Sequence, residues 1–463
     1  MEKDKCKNPP SGDKKLTLKE KISYGFGDFG NGFMFDLGQA YLSKFFTDAC
    51  GIPAAMAKNI FVYTKIFDAF MDPIAGSAVD AKKPGKYGKF RPVMMISAII
   101  LGILTVITFI MPHFGSVTEK LIYAYAAYMI WGLVYSFTND PYGSLASVMT
   151  QDVEERSQLA TFRQAGSLGA QLITGVAFVP ILIHFTNPRI GYPIAAAIMA
   201  IIGIGSFYIC FRNTREHVKP QAKTKEKIGV KECFKVVFTN KPLLCLILMT
   251  LFTISSMNAN NQMMIYYCQY ALGNVKLQPV INSIMIGCSV IGIAAIPKMV
   301  QKFGKKKTAM IGFIVGIVAD GLNFIAPPNP VVFTILVTVG YVALAIPNGV
   351  TWAFVSDAID YGEWHTGQRK EGITYAAFNF SRKIAQSIAA YVTLGALQMT
   401  GYVANAHQTA KTILGMKAVM ALYPACALAV AAIVIGFLYK LTDEKYRAIV
   451  DDLHNGRYDV TVK

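Results

Sequence analysis

Residues 80–92 read DAKKPGKYGKFRP and residues 301–307 read QKFGKKK, and this repeated basic, glycine-broken connection decides the fold. Lysines beside a glycine neither continue an apolar helix nor enter hydrocarbon, so each stretch marks a short polar turn between two membrane spans. Each follows the second of six apolar windows in its own part of the chain. The chain therefore carries a weak internal repeat.

Crossing a bilayer takes roughly 20 mostly apolar residues per helix. Windows of that kind occupy 24–48, 55–79, 93–113, 120–149, 164–185, 190–211, 242–268, 279–300, 308–327, 330–356, 372–399 and 413–439. Of the 463 residues, 53% are hydrophobic and only 16% charged, and the mean hydropathy is +0.39. Soluble chains carry about 25% charged residues, so this balance excludes a string of soluble domains, and it excludes disorder. The expected architecture is an all-α membrane protein of twelve transmembrane helices in two six-helix halves, of the major facilitator type, whose halves rock about a site at mid-membrane. The expected divisions are a cytoplasmic segment 1–23, a first half 24–211, a basic cytoplasmic middle loop 212–241, a second half 242–439 and a cytoplasmic tail 440–463.

The formal charge of +17 could suggest nucleic acid, but the charge is not gathered on one face. Of 45 Lys and Arg, 35 lie in 1–23, 80–92, 150–163, 212–241, 298–307, 357–371 and 440–463, which are alternate connections. That is the positive-inside pattern, and it places both termini in the cytoplasm of a multi-pass plasma-membrane protein that does not bind nucleic acid. The polar first 23 residues lead into no short apolar run with a cleavage site, so no signal peptide is expected. The eight cysteines form no C-x-x-C, and no P-loop, HExxH or GxSxG is present, so neither an enzyme nor a cofactor is expected.

Ionisable residues inside a span are costly unless paired or wet, and each is a functional candidate. The sharpest group is TKIFDAFMDP, residues 64–73, where Lys65, Asp68 and Asp72 fall on one helix face a turn apart. Two carboxylates that close repel when both are ionised, and a cation between them, or a proton on one, relieves the stress. The alternative is a structural ion pair; two acids with a single base favour a coupling-ion site. Lys383, about half-way along an apolar span, needs a carboxylate partner that the second helix can offer.

Polar groups that suit a polyol cluster elsewhere. The first helix offers Asp28 and Asn31 on one face; the fourth offers Tyr135, Ser136, Asn139 and Asp140; the fifth begins with Arg163 and Gln164; the tenth carries Trp352. Asn and Asp bond hydroxyls directionally, and tyrosine and tryptophan give a ring to stack on. The competing readings are interhelical hydrogen bonding for Asp28 and Asn31, head-group anchoring for Arg163, Gln164 and Arg382, and packing for Trp352.

SYGFGDFG (residues 23–30), KIFDAFMDP with GKYGKFRP, NDPYGSLASVMTQ (139–151), DYGEWHTGQRKEGITYAAFNFSRK (360–383) and LYKLTDEKYRAIV (438–450) together resemble the glycoside-pentoside-hexuronide cation symporters, the melibiose permease family, over nearly the whole chain. The look is nearest to the family's glucuronide and xyloside carriers. The resemblance implies sugar uptake with a proton or sodium ion. It makes Asp68, Asp72 and Ser136 cation-site residues and Lys65 and Lys383 members of the same charge network. Where sodium users of the family place an asparagine, this chain has Met71, a poor ligand for a hard cation, which favours the proton. Several galactoside-contacting positions differ, with Gly32, Asn139, Gly143 and Gln164 in place of the family's residues, so melibiose itself is not the expected sugar. The expected partners are the sugar, the cation and the bilayer, with the chain acting as a monomer. The alternatives are a carrier of a non-sugar solute and a non-transporting sugar sensor.

Overall fold

The computed structural model describes residues 15–81, 85–150, 153–217, 237–367 and 370–459. Among them are twelve long helices: α1 (Leu18–Ala40, extended through Leu42–Lys44 and a π turn, Phe45–Ala49), α2 (Ala54–Ala81), α3 (Phe90–Thr108), α4 (Val117–Met149), α5 (Val153–His184), α6 (Pro188–Asn213), α7 (Lys241–Tyr266, extended by a π turn, Tyr267–Ala271), α8 (Leu277–Phe303), α9 (Lys305–Ile325), α10 (Pro330–Thr366), α11 (Glu371–Thr400) and α12 (Ala410–Leu438). Their starts are written in side chains that take up orphan backbone amides: Thr17 and Glu20 form a reciprocal cap on α1, and Ser116, Asn187, Asn240, Asn329 and Thr409 cap α4, α6, α7, α10 and α12. Nine of the described helices are long and apolar enough to cross a membrane by length and composition. The other three, α1, α2 and α11, hold Asp28, Asp36 and Lys44; Lys65, Asp68 and Asp72; and Arg382 and Lys383. Of these, Asp28, Lys65, Asp68, Asp72 and Lys383 are among the residues singled out above for chemistry.

Packing within the first half joins α1 to α5 and α6, α3 to α4 and α6, and α2 to α4. Packing within the second joins α7 to α11 and α12, α9 to α10 and α12, and α8 to α10. The halves meet where α2 lies on α11 and where α5 lies on α8. Exchanging each helix for its counterpart six places away in the other half, α2 for α8 and α11 for α5, turns one pair into the other, as a two-fold relation between repeats requires.

The repeated basic connection has a structural purpose in each half. Gly88 has φ +94°, and a Cβ there would lie 2.4 Å from the carboxylate of Glu216, which follows α6. That carboxylate accepts the backbone amides of Lys89 (2.8 Å), Phe90 (2.8 Å) and Arg91 (3.1 Å) at the start of α3. In the second half Gly304 has φ +80°, a Cβ would lie 2.3 Å from Asp443 Oδ2, and the amide of Lys305 donates to that oxygen at 3.3 Å. Asp443 follows α12 as Glu216 follows α6. In both places a left-handed glycine lets an acid from beyond the sixth helix of the half seat on the positive end of the third. Lys305 also reaches Asp357 of α10 at 2.6 and 2.7 Å.

Several boundaries differ from the sequence-based expectation: α1 starts at Leu18 and α5 at Val153, the latter within the stretch 150–163 read as a connection. The stretch 357–366, read as part of a connection, continues α10 to Thr366, where Gly367 (φ +70°) ends it. The tail holds a further helix, α13 (Asp443–His454), hung on α10 by Tyr446 to Asp360 (2.8 Å) and Trp364 to Asp452 (3.3 Å). Residues 1–14 and most of the middle loop, 218–236, lie outside the described residues.

Candidate functional site

Counting 1.5 Å per residue from the helix ends on the face where α1 starts and α12 ends, Asp28, Asp68, Asp72, Ser136, Arg163, Trp352 and Lys383 all sit roughly 14–21 Å deep. One layer near mid-membrane thus draws on α1, α2, α4, α5, α10 and α11.

Two acids and two bases stand at its centre. Lys65 lies one turn before Asp68, 3.8 Å away, and both are buried. Asp68 presses on α4 where only a glycine leaves room: a Cβ on Gly132 would lie 2.1 Å from Asp68 Oδ1. That oxygen is buried with no hydrogen-bond partner among the described residues. Lys65 Nζ also sits over the rings of Phe35 (5.2 Å) and Tyr128 (5.8 Å). Asp72 is turned toward the other half. The Ser136 hydroxyl donates to its Oδ1 at 2.5 Å, and Lys383 of α11 binds its Oδ2. Asp72 and Lys383 keep 29% and 24% of their side chains exposed, so water reaches the pair that joins the halves, whereas the Lys65–Asp68 pair is sealed. The sequence suggested two acids with one base on a shared stripe and, separately, a carboxylate of the second helix for Lys383; the folded chain gives each acid its own lysine, Lys65 for Asp68 and Lys383 for Asp72.

The polyol candidates divide in two. Asp28 meets Arg163 of α5 (Nε to Oδ2, 3.3 Å), and the guanidinium lies 5.1 Å from the Tyr142 ring. Asn31, on the same face of α1, goes to α4 instead: its amide donates to the Tyr135 hydroxyl (3.2 Å) and to Asn139 Oδ1 (3.3 Å), while its own Oδ1 is buried and unpartnered. Tyr135 stacks on Phe35 at 4.8 Å. Asp140, beside Asn139, is partly buried. Gln164 is exposed and bonds to none of these residues. Trp352 is 42% exposed, edge-on to Phe378 at 5.4 Å and under the guanidinium of Arg382 at 5.6 Å. Arg382 thus reaches an aromatic face of α10, where the sequence suggested a head-group anchor.

A second polar cluster, missed in the sequence, closes the opposite face. Asp48, on the π turn after α1, binds Lys44 (2.5 Å) and accepts the hydroxyls of Tyr270 (2.8 Å) and Tyr402 (2.5 Å) from the other half. Asn405 donates to its carbonyl at 2.9 Å, and Thr47 shares a hydrogen bond with Tyr266 at 2.8 Å. Lys44 lies over the rings of Tyr266 and Tyr270, at 4.7 and 4.8 Å. The only local signal was a Lys–Asp pair at i, i+4 at a span end.

Two six-helix halves, joined through an ion pair and polar residues at mid-membrane, define a secondary transporter. A family model described as MFS/sugar transport protein matches residues 23–443, and the chain belongs to that family. It is 55% identical over 443 residues to a Bacillus subtilis (strain 168) protein named Uncharacterized symporter YjmB, covering 96% of each chain. It is 36% identical over 442 residues to a Salmonella typhimurium (strain LT2) protein named Putative sulfoquinovose importer, covering 95% of this chain and 93% of that one. The crystal structure of nucleoside transporter NupG matches with TM-score 0.63 at 13% identity, over 92% of this chain and all of that one, a likeness of fold alone. The chain is a multi-pass membrane transporter of the sugar-symporter type and not an enzyme.

Proposed function

We propose that this chain imports a glycoside, pentoside or hexuronide together with a cation, a proton in preference to sodium, and works as a monomer in the plasma membrane with both termini cytoplasmic. The observation that carries this reading is the shared carboxylate of Asp72, held by Ser136 from its own half and by Lys383 from the other.

A cation arriving at Asp72 competes with Lys383 for the same oxygens. A proton there, or an ion bridging Asp68, Asp72 and Ser136, neutralises the acid and releases α11 from α2. The contact between the halves therefore depends on whether the cation is bound, which is the differential interaction a coupled carrier needs. Met71 beside Asp72 presents a thioether where a sodium ion seeks hard oxygens, and this supports the proton. Asp28, Asn31, Tyr135, Asn139, Asp140, Arg163, Gln164 and Trp352 are the proposed sugar-binding residues, with hydroxyl groups met by the amides and carboxylates and the ring by the aromatics. Lys and Arg crowd the face where α1 starts and α12 ends, which supports a cytoplasmic placement of that face.

The test is uptake of radiolabelled glycosides, xylosides and glucuronides into proteoliposomes, with a proton or a sodium gradient imposed in turn. Accumulation of one class driven by the proton gradient supports the reading. Sodium-driven accumulation overturns the choice of ion, and absence of accumulation of every sugar by folded protein overturns the sugar assignment.

A further inference from the structure

Arg382 and Lys383 are neighbours on α11, so their side chains leave the helix about 100° apart and cannot serve one partner. Lys383 goes to Asp72. Arg382 goes the other way, onto Trp352 of α10, and no carboxylate meets it among the described residues. The acids of the layer are committed elsewhere: Asp28 to Arg163, Asp68 to Lys65 and Asp72 to Lys383. From the first half, the Arg163 guanidinium and the Tyr135 hydroxyl lie close enough to act on Arg382 electrostatically.

Two guanidiniums from opposite halves thus act on one another, at a depth where like charges repel strongly. Arg163 is already shared with Asp28 and keeps 35% of its side chain exposed. An anion placed between them turns the repulsion into attraction and ties the halves together. A guanidinium is a planar fork that fits a carboxylate or sulfonate through two parallel hydrogen bonds. Trp352, 42% exposed beside it, gives a flat apolar face for the ring that carries the acid.

We propose that Arg382 is the specificity residue of the transport site: it binds the carboxylate or sulfonate of an acidic sugar whose ring lies on Trp352, with Arg163 approaching the same anion from the other half. The inference rests on the reading of the chain as a sugar carrier, and narrows it to sugars with one negative charge.

The experiment is counterflow in proteoliposomes with radiolabelled D-glucuronate, D-galacturonate and sulfoquinovose, each set against neutral glucose, galactose and xylose. The wild-type chain is expected to exchange an acidic sugar at least tenfold faster than its neutral counterpart. Arg382→Gln is expected to raise the KM for the acidic sugar at least tenfold, and Arg382→Lys, which keeps the charge without the fork, to recover part of the loss. The uronates and the sulfonate separate the two anions. If neutral sugars exchange and acidic ones do not, the inference falls while the carrier stands; if folded protein moves no sugar, both fall. An Arg382→Gln variant that handles acidic sugars as the wild type does also overturns it. Wild-type selectivity decides the matter even where the variant fails to fold.

Discussion

Lys383 of α11 and Asp72 of α2 form an ion pair across the boundary between the halves, on a carboxylate that Ser136 also holds. Breaking a fully buried pair costs about 3–5 kcal/mol, but this one is partly exposed and its loss is milder. Lys383→Gln should therefore fold, with uptake against a gradient reduced at least tenfold. The checks are gradient-driven accumulation and a monodisperse profile on size exclusion; accumulation at the wild-type level in folded variant would sink the role given to the pair.

Asp68 depends on a missing side chain. Gly132→Ala places a methyl where Asp68 Oδ1 now sits, so either the acid or α4 must move, at about 1–3 kcal/mol for overpacking. Transport should fall at least tenfold. Gly205→Ala, in α6 with open space at its Cβ, should transport normally, and a helical alanine there adds up to about 1 kcal/mol of stability. Equal transport by the two variants would remove Gly132 from the site.

The closure at Asp48 gives a conformational prediction. Hydrogen bonds to a charged group contribute about 1.5–3 kcal/mol each, and Asp48 takes two from tyrosines of the other half. Asp48→Asn should open that face. Lys58 and Gln398 approach to 3.1 Å across the halves, so Lys58→Cys with Gln398→Cys reports the opening by cross-linking with a short bifunctional reagent. The yield should fall at least twofold when Asp48→Asn or Tyr402→Phe is added; an unchanged yield would show that the cluster does not hold the halves.

Glu216 should matter more to stability than its counterpart. It accepts three amides at the start of α3, whereas Asp443 accepts one at the start of α9. Glu216→Ala should cost about 1–2 kcal/mol, as lost helix caps do, and Asp443→Ala less. Thermal inactivation of the purified protein ranks them, and the reverse order would contradict the reading of the two loops as equivalent seats of unequal strength.

Much of this could be read along the chain. Twelve apolar windows and the recurring loops give the helices and the two-fold relation, since membrane spans are local in sequence. The stripe of Lys65, Asp68 and Asp72 was legible because one helix carries it. What could not be read depends on distant partners. Glu216 lies 125 residues or more from the amides it binds, and nothing near GKYGKFRP announces it. Arg382 looked like a head-group anchor because its partner ring is on another helix. Asp48 sits at a span end, where a charge is unremarkable until Tyr270 and Tyr402 close over it. Lys383 was the exception: its depth alone demanded an acid.

The central claim is that a cation exchanges with Lys383 at Asp72. Asp72→Asn removes the charge and keeps the shape, so the most direct measurement compares, in one proteoliposome preparation, accumulation under an imposed gradient with sugar exchange at equilibrium. The account predicts that accumulation disappears while exchange persists. Full accumulation by the variant would contradict it.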